Sequence, residues 1–164
     1  MTNRSIDFQK CKLILESAGV LFEPGLSIKE IHQIEDRFQL LFPLDYRDFI
    51  MYALPVSEGF VSWRSADESE ILKMLSWPSE GICFDIEFNR FWIEEWGPRP
   101  EQLKDAISIA RKFIDKAPLL IPILAHRYIP AEPNESGNPV FSVYQTDIIY
   151  FGRDFNEYLE NEFG

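Results

Sequence analysis

The chain has 164 residues, of which 46% are hydrophobic and 15% aromatic. This length is typical of one domain, and this apolar content excludes an intrinsically disordered chain. The formal net charge of −11 argues against a protein that binds nucleic acid or an anionic membrane, because both need basic patches.

The first helix is predicted over residues 6–18. Apolar residues recur there at spacings of three and four, which is the pattern of an amphipathic helix. Ser5 stands before them in the N-cap position, and Gly19 follows them as a stop signal.

Two more helices are predicted next. Ser27 and Glu30 have the spacing of a capping box, so a helix is expected to begin there and to run to Leu41. Pro43 breaks the pattern and opens a third helix, predicted over Leu44–Tyr52.

The middle of the chain has weaker periodicity. Residues 60–63 and 82–84 are predicted to form strands, and residues 67–75 a short helix. Residues 87–96 mix aromatic and acidic side chains without a helical or strand period, so no element is assigned to them.

The strongest amphipathic pattern covers residues 101–117, which are predicted to form one long central helix. Its apolar side chains keep the helical spacing throughout, so Phe113 and Ile114 are expected to be buried. We expect this helix and the capping-box helix to pack on the sheet.

Strand patterns dominate the last third of the chain. Residues 119–124 form a continuous apolar run and are predicted to be a buried strand, in which Pro122 indicates a sheet edge or a bulge. Residues 127–138 contain several Pro, Gly and Asn residues and are predicted to form a loop.

A hairpin and a helix are predicted to end the fold. Val140–Tyr144 and residues 148–151 are β-rich and are separated by three residues. Asp154 is the predicted cap of a C-terminal helix over Phe155–Phe163. With helices first and strands clustered later, the order favours a single α+β domain over residues 1–164 with a mostly antiparallel sheet.

Metal and cofactor chemistry have little support in the sequence. The glycines form no phosphate-binding loop, and the possible zinc ligands Cys11, Cys83, His32 and His126 are widely separated. We therefore expect no metal, no cofactor and no disulfide, with both cysteines as reduced core thiols. The first residues lack an apolar run, and no apolar run is long enough to span a membrane, so a cytoplasmic location is expected.

Catalysis has one candidate base, His126, at the end of a predicted strand. A small hydrolase that uses His126 with nearby carboxylates is an alternative function. Adjacent acid pairs are expected by chance in a chain with 27 acids. We therefore interpret them as a solvated face rather than as the facing carboxylates of a glycosidase.

The middle third combines carboxylates with all four tryptophans. Tryptophan is usually a core residue in a small domain, but an aromatic side chain beside carboxylates is also typical of a binding site for a basic partner. Tyr128 is the next candidate if these residues do not bind. The predicted binding residues are Asp85, Glu87, Glu94, Glu95 and Trp96 in a primary patch, and Asp67, Glu68 and Glu70 in a secondary patch.

Residues 41–49 read Leu-Phe-Pro-Leu-Asp-Tyr-Arg-Asp-Phe and follow the capping-box helix. This stretch resembles the Leu-Pro-x-[Asp/Glu]-[Tyr/Phe]-x-x-[Phe/Leu] signature of the SUKH superfamily, the Smi/Knr-type domain. Residues 137–144 resemble its late strand, and residues 148–150 together with 155–159 resemble the motif of its closing helix. The resemblance spans about residues 24–163. The chain departs from it at 51–56, Met-Tyr-Ala-Leu-Pro-Val, where the family often has an Asn-Gly-Gly turn.

The resemblance implies a non-enzymatic α+β binding domain without catalytic residues. In bacteria such domains are typically immunity proteins that neutralise polymorphic toxins, often nucleases, and fungal relatives regulate cell-wall synthesis. The charge of −11 is consistent with an inhibitor that covers a basic nucleic-acid cleft. We therefore expect an antitoxin-like protein whose partner is a toxin domain with a basic surface. A hydrolase and a regulatory scaffold without a toxin partner are the alternatives.

Overall fold

The fold was described from a computed structural model, which covers residues 6–65 and 67–164. The α-helices in this part of the chain are α1 (Phe8–Ser17), α2 (Ile28–Phe38), α3 (Leu44–Tyr52), α4 (Glu68–Phe88), α5 (Leu103–Ile114) and α6 (Phe155–Phe163). The strands are β1 (Phe22–Pro24), β2 (Ala53–Pro55), β3 (Leu120–Leu124), β4 (Arg127–Pro130), β5 (Val140–Tyr144) and β6 (Asp147–Gly152). A short 3₁₀ helix, Glu94–Trp96, lies between α4 and α5.

Both sheets are antiparallel, and the predicted α+β class with a C-terminal helix is confirmed. β1 pairs with β2, and the larger sheet has the order β3-β4-β5-β6. Pro122 lies on an edge strand of the larger sheet, next to a register shift, as its lack of an N–H donor requires. The β5–β6 turn contains two residues instead of the predicted three, because Tyr144 pairs with Asp147.

The N-terminal helices begin where their capping groups lie. The Glu30 amide donates to Ser27 Oγ, and the Ser27 amide donates to Glu30 Oε1, each over 3.1 Å. The predicted capping box of α2 is therefore confirmed, as are the bounds of α3. α1 is capped by Asp7, which accepts from the Lys10 amide; Ser5, the predicted cap, lies outside the described residues.

α4 differs most from the sequence prediction. A single helix of 21 residues replaces the predicted short helix at 67–75 and the predicted strand at 82–84. Pro78 lies inside it, and a proline there leaves the carbonyl of Met74 without its helical donor. The Tyr128 hydroxyl from β4 donates to that carbonyl over 2.6 Å. A side chain distant in sequence thus satisfies the group that the proline frees.

Two further segment predictions were wrong. Residues 60–63 form no strand; Phe60 makes a single bridge to Leu124, and the Val61 amide donates to the Ile123 carbonyl at 3.4 Å. The predicted loop at 127–138 begins with β4, which pairs with both β3 and β5.

The described residues form two hydrophobic clusters. The main core joins α1, α2, α3 and α6 to the larger sheet and to the first half of α4; its fully buried side chains include Leu15, Ile31, Phe49, Ile121 and Phe155. The second cluster joins the last turns of α4 to α5 and the 3₁₀ helix, and its buried side chains are Ile86, Ala106 and Ala110. Pro78 therefore lies between the part of α4 that packs in the main core and the part that packs in the second cluster.

The predicted packing of α5 on the sheet was wrong. α5 packs against α4 and the 3₁₀ helix instead. A helix that is covered by one neighbouring helix buries a narrower stripe than a helix laid on a sheet. Phe113 is accordingly 43% exposed, against the prediction of burial, and Ile114 is only partly buried.

No helix within residues 6–65 and 67–164 is long and apolar enough to cross a membrane.

Candidate functional site

The primary patch lies where α4 ends and the 3₁₀ helix begins. Glu87 is exposed on the last turn of α4, and Glu94 and Glu95 are exposed on the 3₁₀ helix. None of these three carboxylates forms a salt bridge with another described residue. Their negative charge is therefore available to a partner without the loss of an internal ion pair.

Trp96 supplies the aromatic part of the primary patch and is partly buried. Its ring lies 5.1 Å from the ring of Trp92 and 6.1 Å from that of Phe91, both edge-to-face. It also stacks on Phe113 at 6.2 Å. These contacts hold Trp96 in one orientation, so the aromatic surface is formed before any partner arrives.

A cavity of about 510 Å³ opens beside these residues. Trp92 forms an aromatic wall, and its Nε1 donates to the Gly97 carbonyl over 2.8 Å. Glu94 and Arg99 also line the cavity. The Arg99 guanidinium donates to the Ile86 carbonyl and lies 6.0 Å from the Trp92 ring centre. No pattern in the sequence predicted this cavity, whose one local sign is the turn signal at Gly97 and Pro98.

Asp85 is not a surface residue, contrary to its place in the predicted patch. Its side chain is buried and accepts from the Thr146 amide at 2.8 Å, the Thr146 hydroxyl at 2.6 Å and Asn89 Nδ2 at 2.7 Å. Burial acts to raise the pKa of Asp85, but these hydrogen bonds outweigh it and leave the pKa below its ordinary value. Asp85 therefore fastens the β5–β6 turn to α4.

The approach of this turn to α4 also requires a glycine. A Cβ atom at Gly81 would lie 2.8 Å from the Cα of Gln145, closer than a side chain can come. Gly81 and Asp85 are one helical turn apart and contact the two residues of the same β-turn, so together they fix the distance between α4 and the sheet.

The secondary patch lies at the opposite end of α4, about 30 Å from the primary patch by the helical rise. Asp67 caps the helix by accepting from the Ser69 hydroxyl and amide, which lower the pKa of Asp67. Glu68 pairs with Arg37 at 3.3 Å. Neither Asp67 nor Glu70 forms a salt bridge in the described part of the chain, so only the Glu68 charge of this patch is neutralised by an ion pair.

His126 has aromatic neighbours rather than carboxylates. Its ring stacks on Trp77 at 5.1 Å and meets Tyr144 edge-on at 5.6 Å. Among the described residues, no Asp or Glu forms an ion pair with it. These aromatic neighbours give no support to the alternative that His126 acts with nearby carboxylates in a hydrolase. Tyr128, the reserve candidate for a binding residue, is buried, so that prediction was wrong.

The motif at 41–49 has structural roles. The buried Asp45 accepts from the Gly137 amide at 2.7 Å, and the Tyr46 hydroxyl accepts from Trp63 Nε1 at 2.9 Å. Phe49 is buried in the main core. The motif thus ties α3 to the loop before β5 and to the segment before α4.

The cysteines lie apart and inside the protein. Cys11 and Cys83 are free and buried, and burial raises the pKa of Cys11 to about 11. Within the described ranges, no group of three or more His, Cys, Asp or Glu side chains is arranged to hold a metal ion.

No family model, no curated protein and no solved structure matches this chain. What the chain does must therefore be inferred from its own residues and their geometry.

Proposed function

We propose that the chain is a non-enzymatic binding protein, an immunity protein that neutralises a bacterial toxin by covering a basic surface. The observation that carries this proposal is the pairing of three exposed, uncompensated carboxylates with a preformed aromatic cavity at one end of α4. A nuclease is the toxin class that fits best, because a nuclease needs a basic cleft to hold its substrate.

The charge distribution favours fast capture of a basic partner. The net charge of −11 attracts a cationic protein over about one Debye length, roughly 8–10 Å at physiological salt. At contact, Glu87, Glu94 and Glu95 can each accept a new ion pair. The local patch then sets the orientation in which the partner docks.

The cavity suits a long cationic side chain of the partner. The aliphatic stem would lie on the Trp92 ring, and the charged head would reach Glu94. Arg99 competes little for Glu94, because its guanidinium is held by the Ile86 carbonyl. An anchor of this kind is desolvated at the centre of an interface, where single residues contribute most to affinity.

The resemblance to the SUKH superfamily supports the same class of function. It rests on the order of short motifs, and the residues of the motif at 41–49 have roles in the fold. The departure at residues 51–56 falls at the end of α3 and in β2. A family surface built on that turn is therefore not transferred to this chain.

The proposal is tested with the product of the gene next to the one that encodes this chain. If that product is a toxin, co-expression of this chain should protect cells, and the two purified proteins should bind directly. Surface plasmon resonance at two salt concentrations should show slower association at the higher salt. An adjacent product that is neither toxic nor bound by this chain would contradict the proposal.

Trp96→Ala tests the aromatic part of the surface. The dissociation rate from the toxin should rise, with a loss of roughly 2 kcal/mol or more in binding free energy if the ring is an anchor. Because Trp96 also packs on Trp92 and Phe113, circular dichroism must show that the variant is folded. An unchanged dissociation rate in a folded variant would remove Trp96 from the interface.

A further inference from the structure

The two edges of the larger sheet are treated differently by the fold. The outer side of β3 is occupied, because Phe60 bridges to Leu124 and the Val61 amide donates to the Ile123 carbonyl. β3 also carries Pro122 and a register shift. Prolines, bulges and covering loops are the usual devices that stop an edge strand from pairing with another chain.

Within residues 6–65 and 67–164, none of these devices protects the regular part of β6. Ile148, Ile149 and Tyr150 are 47%, 53% and 57% exposed, and among the described residues β6 pairs with β5 alone. The register shift in the β5–β6 ladder falls beyond Tyr150. α6 reaches the far end of the strand, where Asn161 Nδ2 donates to the Phe151 carbonyl.

The exposed stretch is well suited to pairing. Alternate residues of an edge strand direct their N–H and C=O groups away from the sheet, so β6 presents unpaired donors and acceptors. Isoleucine and tyrosine have high β propensity, and the three residues carry no charge. An added strand would bury apolar side chains on both faces and satisfy the free backbone groups.

We propose that β6 pairs antiparallel with β6 of a second copy of this chain, forming a continuous eight-stranded sheet. The charges at the strand ends select this occupant. Asp147 is the first residue of β6, and Arg153 is the residue that follows the end of this strand. In an antiparallel pair, each Asp147 approaches Arg153 of the other copy, whereas a parallel pair would bring like charges together. Any extended peptide could use the backbone edge, but a copy of this strand also matches its charges.

Both charged side chains are exposed and can reach a second copy of the chain. Asp147 is exposed and forms no salt bridge in the part of the chain that the structure describes. Arg153 is exposed, and its ion pair with Glu157 is long, at 3.6 Å.

Sedimentation of the full chain at increasing concentration tests the pairing. The wild type should form dimers, and Ile149→Lys should be monomeric at concentrations where the wild type is dimeric. Ile28→Lys is the matched control, because Ile28 is 50% exposed on α2 and should leave the dimer intact. A wild type that stays monomeric to millimolar concentration, or a dimer that survives Ile149→Lys, would overturn the proposal.

A charge exchange tests the orientation. Asp147→Arg and Arg153→Asp should each weaken the dimer, because each places like charges across the interface. An equal mixture of the two variants should recover dimers, since both ion pairs are then restored in the mixed pair. Circular dichroism confirms that each variant is folded. If the folded variants dimerise as the wild type does, or if mixing restores nothing, the antiparallel pairing is wrong.

Discussion

The main core contains fully buried aromatic side chains, whereas the described aromatic side chains of the second cluster are only partly buried. Phe49 and Phe155 are each 1% exposed, and their rings lie 5.0 Å apart in the main core. Trp92 and Trp96 pack around a cluster in which three of the described side chains are buried. A core built from several helices and a sheet can exclude water from large rings, whereas two α-helices and one short 3₁₀ helix cover such rings only in part. The shallower region is therefore the one with aromatic surface available for binding.

The same substitution made in both regions tests most sharply whether the main core is better packed than the second cluster. Phe49 is 1% exposed, so Phe49→Ala should lower the free energy of unfolding by about 3–5 kcal/mol. Phe113 is 43% exposed, so Phe113→Ala should cost about 1 kcal/mol. Urea denaturation of both variants measures the difference. Equal costs would show that the second cluster is as well packed as the main core.

The hydrogen bonds that join α4 to the β5–β6 turn should contribute less to the free energy of unfolding than a buried phenylalanine of the main core does, but their loss should be measurable. Asp85→Ala leaves the Thr146 amide and hydroxyl without their acceptor and should cost about 1–3 kcal/mol. Glu87→Ala, two residues away and exposed, is the control and should change stability by no more than about 0.5 kcal/mol. If the two substitutions cost the same, the hydrogen bonds of Asp85 do not fasten the turn.

The pH dependence of the Asp85 variant follows from its lowered pKa. The folded protein holds Asp85 ionised more strongly than the unfolded chain does, so the unfolded state binds the proton first and stability rises with pH. The stabilisation is complete well above the ordinary aspartate pKa of about 4 and is lost as pH falls below it. The gap in stability between wild type and Asp85→Ala should therefore narrow in acid. A gap that widens in acid would give the pKa shift the opposite sign.

Loss of the hydrogen bond that compensates for Pro78 in α4 should have a small effect on stability. Tyr128→Phe removes the donor to the Met74 carbonyl and should cost about 1 kcal/mol. In a Pro78→Ala background the new amide can bond that carbonyl, so the same substitution should cost less. A double-mutant cycle measures this coupling. Identical costs in both backgrounds would mean that Tyr128 does not compensate for the proline.

Local signals predicted the regions where one segment determines its own structure. The capping box of Ser27 and Glu30, the start of α3 after Pro43, and the cap at Asp154 were all found from residues within one helical turn. These interactions depend on short spacing in sequence, which a single sequence displays. The α+β class followed from the same signals, since it depends on element order.

Distant contacts explain the failures. A proline such as Pro78 is typical of a position where a helix ends. α4 continues through it because the Tyr128 hydroxyl, 50 positions later in the chain, donates to the carbonyl that the proline leaves free. Asp85 reads as a surface acid, and its burial depends on Thr146 in another element. Phe113 follows the apolar stripe of α5 but lies beyond the width that α4 covers. A periodic pattern shows which face is apolar and leaves open how much of that face a neighbour buries.

The same limit applies to the candidate site. The local density of acidic residues singled out Glu87, Glu94 and Glu95, and their carboxylates are exposed in the structure. The cavity at Trp92 depends on the Gly97 turn and on Arg99 reaching back to Ile86. Such convergence of side chains has no signature in spacing along the chain.

Charge reversal at the primary patch, with a charge-matched control, is the most direct test of the central claim. Glu94→Lys with Glu95→Lys is compared with Asp36→Lys with Glu58→Lys, which lie on exposed positions outside the patch and change the net charge of −11 equally. Surface plasmon resonance with the toxin measures association at two salt concentrations. We expect the patch variant to associate on the order of tenfold more slowly and with weaker salt dependence, and the control to stay close to the wild type. Equal rates for the two variants would show that overall charge, and not this surface, captures the partner.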